Sequence, residues 1–192
     1  MLEKATRLKL EDAILRSAYF EDFCENDKRV RDGLDMKRYI DGCSHIIDAE
    51  HISILESYLK TSDYFNIDIT FLFFNRNHEG GMPHTHGKFI MLPDDWFLRP
   101  LPTQQRRHII THESIHIYQR YNPCEFNQKL LANNAFHISG YRKKESNIRS
   151  NPDINKIVYS DIMALYRDAP KSLGDISDHR EHPYEIFAYK HQ

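Results

Sequence analysis

His112-Glu113-Ser114-Ile115-His116 is the stretch of this chain whose residue types and spacing could do chemistry. On a helix, residues four apart sit about 40° apart around the axis and about 6 Å along it. Both imidazoles then share one face and can grip one metal ion. Glu113 falls on the flank of that face, placed to reach an activated water rather than the ion. Two neutral nitrogen ligands, with a carboxylate to take a proton from water, are what zinc-assisted hydrolysis requires. With 12 histidines in 192 residues, the pattern alone is suggestive and its surroundings must carry the rest.

A catalytic zinc usually takes three protein ligands, and the motif supplies two. His108 is also four residues from His112, but it would lie about 12 Å along the axis from His116, too far for one ion. It is expected to be a supporting or core residue. The extended form H-E-x-x-H-x-x-G-x-x-H is excluded, because Gln119 stands at the glycine and Asn122 at the third histidine. What remains is a ligand far downstream. Glu185 falls in the first turn of a C-terminal helix beside Ile186, Phe187 and Ala188, which suggest a packed face. A carboxylate on such a face is costly unless paired or metal-bound. A plainer account is an acidic residue stabilised at a helix N-terminus. With a two-histidine site short of one ligand, Glu185 is the candidate. Asp178, His179, Glu181 and His182 are its rivals; Glu125 is nearer, but the break at Asn122-Pro123 leaves its direction open.

The elements that must position these residues follow from pattern. Thr103 to Tyr121 reads as one helix, with Thr103 as N-cap, Ile109, Ile110, Ile117 and Tyr121 as apolar surface, and Asn122-Pro123 as its stop. Ahead of it, Ile67 to Phe74 reads as a buried strand. His86 to Leu92 reads as a second strand, after a loop rich in Asn and Gly. His84 and His86 are expected on one face of that strand, at a substrate edge or in solvent. Residues 10 to 60 read as helical scaffold: a first helix over Leu10 to Phe23, a short one at Met36 to Ile40, and a third over Asp48 to Leu59 with Asp48 as cap. A helix from about Pro123 to Ala132 follows the motif. Phe136 to Asn155 and Asp168 to Asp178 read as loops, Ile157 to Tyr159 as a short strand, and the last helix starts at His182-Pro183. The fold class expected is α+β, with a helical N-terminal segment at 1–62 packed on a core at 63–192.

Composition bounds the function. The length suits one domain, and 40% hydrophobic residues suffice for a core. With 26 basic and 28 acidic residues, the near-neutral charge argues against a general nucleic-acid binder; Arg142-Lys143-Lys144 reads as a solvated loop. Three widely spaced cysteines, Cys24, Cys43 and Cys124, imply neither a disulfide framework nor a C-x-x-C site. Met1 to Leu10 lacks a signal-peptide apolar region, and no apolar run is long enough to span a membrane, so a soluble intracellular protein is expected.

The H-E-x-x-H helix, the preceding strands and the later glutamate-bearing helix together resemble a gluzincin, a zinc metallopeptidase with a glutamate as third ligand. Thr85 to Leu92 also resembles the edge strand that borders the substrate cleft in small members of that group. The resemblance covers roughly residues 67 to 190. It implies a zincin-like fold, Zn2+ held by His112, His116 and Glu185, and Glu113 as general base and acid. It further implies a peptide or protein substrate, held by β-addition to the edge strand. Such enzymes usually carry a further Tyr or His at the oxyanion; Tyr159 and His179 are the candidates, ahead of Tyr166 and Tyr184. The competing expectation is a zincin-like module that binds zinc without turnover and acts through a protein partner. A third is a coincidental motif in a histidine-rich protein.

Overall fold

The structure is a computed structural model. It describes residues 2–59, 67–134, 138–141, 147–154, 157–159, 164–179 and 182–192, with the backbone alone in 129–134, 138–141, 157–159 and 178–179. The chain is of the mixed α+β class, with seven α-helices among the described residues. Three helices, α1 (Lys4–Ser17), α2 (Glu25–Val30) and α3 (Met36–Asp41), precede β1 (Ser44–His45) and α4 (Ala49–Leu59). Then come β2 (Thr70–Phe74), β3 (His84–His86), β4 (Phe89–Pro93) and the long α5 (Thr103–Tyr121). After α6 (Pro123–Asn134), the strands β5 (Ile138–Tyr141), β6 (Ile157–Tyr159), β7 (Ala164–Tyr166) and β8 (Ile176–His179) form two small hairpins before α7 (Pro183–His191).

The main sheet has the order β1-β2-β4-β3. Its centre is the parallel pair β2 and β4, in register from Thr70 opposite Phe89 to Phe74 opposite Pro93. Successive strand side chains point to opposite faces, and here both faces are covered. Leu72, Phe74, Phe89 and Met91 pack against Leu10, Ile14, Tyr39 and Ile40 of α1 and α3. Phe71, Ile90 and Leu92 pack against Leu55 and Leu59 of α4 and Ile110 and Ile117 of α5, with Trp96 fully buried among them. The helix carrying His112 and His116 is thus laid on one face of the sheet, and its chemistry-bearing side is turned toward β3 and α7.

Several boundaries differ from the sequence expectation. The first helix starts at Lys4 and ends at Ser17, because Ala18 takes a left-handed conformation (φ 49°) and its N–H returns to the Leu15 carbonyl. The strand expected over His86 to Leu92 is a hairpin, β3 and β4, reversed at Gly87 and Lys88. Gly87 has φ +56°, and a Cβ there would meet the Ala13 Cβ of α1 at 2.7 Å, so only glycine suits the turn. Pro102, not Thr103, is the residue ahead of α5, and it supplies no side-chain cap. The strand β5 lies within the expected loop 136–155, and β8 at the end of the one expected at 168–178. Asp48 does accept from the backbone N–H groups of Glu50 and His51 at the start of α4. Among the described residues, no helix is long and apolar enough to cross a membrane.

The three cysteines are free thiols. Burial pushes the Cys43 thiol up to about 12 and raises that of Cys24 as well, whereas Cys124 is exposed on α6. Since the thiolate is the nucleophile, native protein treated briefly with iodoacetamide at neutral pH is expected to gain one adduct by intact mass. The unfolded protein should gain three, and three on the native protein would contradict this packing.

Candidate metal centre

His112 and His116 sit one turn apart on α5, and Glu185 comes from the first turn of α7, which packs beside it. The His112 and His116 Nε2 atoms are 3.0 Å apart. Glu185 Oε2 lies 3.2 Å from the first and 3.3 Å from the second. The three side chains are nearly out of solvent, His116 wholly so. Two ring nitrogens and a carboxylate oxygen at these separations are held together by a shared positive charge, a proton on an imidazole or a metal ion. Bonds of about 2.0–2.1 Å in a tetrahedral zinc site set neighbouring ligand atoms about 3.3 Å apart, and the observed spacings are close to that. The donor set, two imidazoles and one carboxylate beside a cavity that His112 and Glu185 line, suits zinc.

The electrostatics agree with a paired cluster. Burial opposes ionisation of Glu185, but the His116 and His112 imidazoles outweigh it and hold the carboxyl well below its usual range. For His116 burial acts downward and the Glu185 carboxylate outweighs it, raising the imidazole to about 10. Around the cluster, Gln119 joins His116 Nδ1 at 2.9 Å and donates from Nε2 to the Tyr184 carbonyl at 3.0 Å. Asn151 donates to the other oxygen of Glu185 at 2.7 Å.

Glu113 is buried, and its Oε2 has no hydrogen-bond partner. Loss of water raises its carboxyl well above the usual value, with nearby Asp153 adding to the effect. A cavity of about 280 Å³ opens over Glu113, His112 and Glu185, closed on one side by residues 149–153 and bordered by Tyr189. The Tyr189 ring lies 4.6 Å from that of His112. The edge strand β3 runs beside this cavity, and its His84 and His86 are both buried rather than solvent-facing. His84 is held by the Tyr39 hydroxyl and the Met82 carbonyl. The Thr85 N–H at the open edge of the sheet already donates to Asp153 at 2.5 Å. Arg120, one turn beyond His116, donates to the Gly87 carbonyl and Thr85 Oγ1 at 2.8 Å and reaches the Pro152 and Asp153 carbonyls at 3.3 Å.

Residues 148–153 are fixed from beneath by a buried network that the sequence pattern did not signal. Arg31, just past the end of α2, donates to Asp27, Glu79, Tyr19, Tyr166 and the Ser150 carbonyl, and Asp27 in turn accepts from the Ser150 N–H and hydroxyl. The helices of the first segment, expected to be scaffold without chemistry, therefore hold the loop that contacts Glu185. Of the rival ligands, His182 instead caps α7, accepting from the Tyr184 N–H, and Glu125 pairs with the Tyr118 hydroxyl near the surface. His108 is half-buried and outside the cluster. Tyr166 belongs to the Arg31 network, and Tyr184 packs on Phe126 and donates to Asn127, so neither serves the cavity. The side chains of Tyr159, Asp178 and His179, and residues 142–144 and 181, lie outside the described residues. Compared with protein-family models, curated proteins and solved structures, the chain matches none.

Proposed function

We propose that this chain is a zinc-dependent peptidase of zincin-like build, with His112, His116 and Glu185 as the metal ligands and Glu113 as general base. The observation that carries this reading is the convergence of three donor atoms within 3.0 to 3.3 Å, one of them 69 residues beyond its nearest partner in sequence. A zinc ion bound there supplies a Lewis acid for a scissile carbonyl and lowers the pKa of a water molecule. The chain's own residues do the rest. Glu113, with one oxygen unpartnered beside the cluster, takes a proton from the attacking water and returns it to the leaving amine. Asn151 and Gln119 hold Glu185 and His116 in place, so the cluster need not reorganise during the reaction.

Incubated with a peptide library, the zinc-loaded protein is expected to cleave at discrete sites. A chelator such as 1,10-phenanthroline should stop the cleavage and added zinc restore it. Cleavage indifferent to the chelator would sink the metal mechanism.

One observation favours the second reading, a zinc-bearing module that acts through a protein partner. The edge N–H that an added substrate strand would use is taken by Asp153. On the peptidase reading, Asp153→Ala frees that position and lowers KM for extended peptides several-fold. Stoichiometric zinc with no cleavage by either protein would instead support the binding module.

A further inference from the structure

Gln119 occupies the position where an extended metal-binding motif would carry glycine, and its side chain faces the cluster. The two ends of its amide have different partners: one lies 2.9 Å from His116 Nδ1, the other 3.0 Å from the Tyr184 carbonyl oxygen. A carbonyl oxygen can only accept, so the end facing Tyr184 must be the NH2 group. The end facing His116 is then the amide oxygen, which also can only accept. His116 must therefore carry a proton on Nδ1, and Nε2 is the nitrogen left to face His112 and Glu185. The reverse orientation of the amide would set two oxygens 3.0 Å apart in a buried site, at a cost of a lost hydrogen bond and a repulsion.

The second contact has its own consequence. Tyr184 directly precedes Glu185, so the amide that orients His116 also anchors the first turn of α7. The helix is independently capped there by His182. One side chain, with both its partners buried, thus couples a donor on α5 to the backbone that presents the donor on α7.

We propose that Gln119 is a positioning residue that selects Nε2 of His116 as the metal-facing nitrogen and ties the Glu185-bearing helix to the same site. This rests on the metal-centre reading given above. An amide here, rather than a carboxylate, sets the ring without adding a charge to a buried cluster that already holds Glu113 and Glu185.

Two measurements test it. The first needs no substitution: long-range 1H–15N correlation spectra of the metal-free and zinc-loaded protein are expected to show His116 protonated at Nδ1 in both. A bare Nδ1 in either form overturns the proposal. The second is zinc affinity by competition with a chromophoric chelator. Gln119→Leu fills the same space with neither acceptor nor donor and is expected to lose about 10–100-fold in affinity, whereas Gln119→Glu keeps the acceptor toward His116 but loses the donor to the Tyr184 carbonyl and is expected to fall between wild type and Gln119→Leu. Unchanged affinity in Gln119→Leu, or equal losses in both variants, overturns the positioning role. Wild-type protein that binds no zinc overturns the metal-centre reading instead, and the metal-free spectrum still decides the orientation of His116.

Discussion

Glu113→Gln is expected to retain stoichiometric zinc and lose about 10²–10⁴-fold in kcat/KM on any cleaved peptide. The substitution keeps the volume and one hydrogen-bond acceptor in a buried position but removes the group that can take a proton. Glu113 is not among the three converging donors, so metal content should be unaffected. The loss should fall on kcat rather than KM, because the proton transfer occurs in the reaction and not in binding. Metal content and steady-state kinetics on the same preparation separate the outcomes. Activity within a few-fold of wild type would show that another group handles the proton. Loss of zinc would show that Glu113 is a ligand.

The second large effect lies away from the cluster. Arg31→Met is expected to destabilise the fold by about 3–5 kcal/mol, seen as a drop of roughly 2 M in the urea midpoint. Arg31 is almost fully buried between Asp27 and Glu79, at 2.6 and 3.0 Å. Removing it strands two carboxylates in the interior. Most of the cost is that stranded charge, so the triple change Arg31→Met, Asp27→Asn, Glu79→Gln should be less damaging than Arg31→Met alone. A loss below about 1 kcal/mol for the single variant would contradict the description of this network, since that is the range of exposed ion pairs. The damage should also reach the cluster. Without the Arg31 contact to the Ser150 carbonyl, the loop that presents Asn151 to Glu185 loses part of its support.

How much of this was legible in the sequence depends on the range over which each interaction acts. The α5 helix and the shared face of His112 and His116 follow from helical periodicity, which is local. Glu185 could be named as a candidate because a carboxylate among apolar neighbours is costly, but five other residues met some part of the same description. Only the packing of α7 on α5 sets Glu185, and not His182, beside the histidines. Gln119 was legible in part: three residues from His116, it had to share that face, though its second partner is 65 residues away. Arg31, Glu79, Asn151 and Asp153 were not legible. Arg31 meets Glu79 and the Ser150 carbonyl 48 and 119 residues away, Asp153 meets the Thr85 N–H 68 away and Asn151 meets Glu185 34 away, and a charge in a half-polar helix or loop looks the same in sequence whether solvated or buried. The β3–β4 turn was missed for a different reason. A two-residue reversal at Gly87-Lys88 interrupts a run with strand propensity on both sides, so propensity alone joins the two strands.

The central claim is that His112, His116 and Glu185 share one metal ion. Its most direct test is anomalous diffraction collected above and below the zinc edge on crystals of tag-free protein. The expected result is one peak bounded by the Nε2 atoms of His112 and His116 and by a Glu185 carboxylate oxygen, absent in crystals of Glu185→Ala. No peak at that position in zinc-equilibrated wild-type crystals, or a peak that survives the loss of Glu185 at full occupancy, would contradict it.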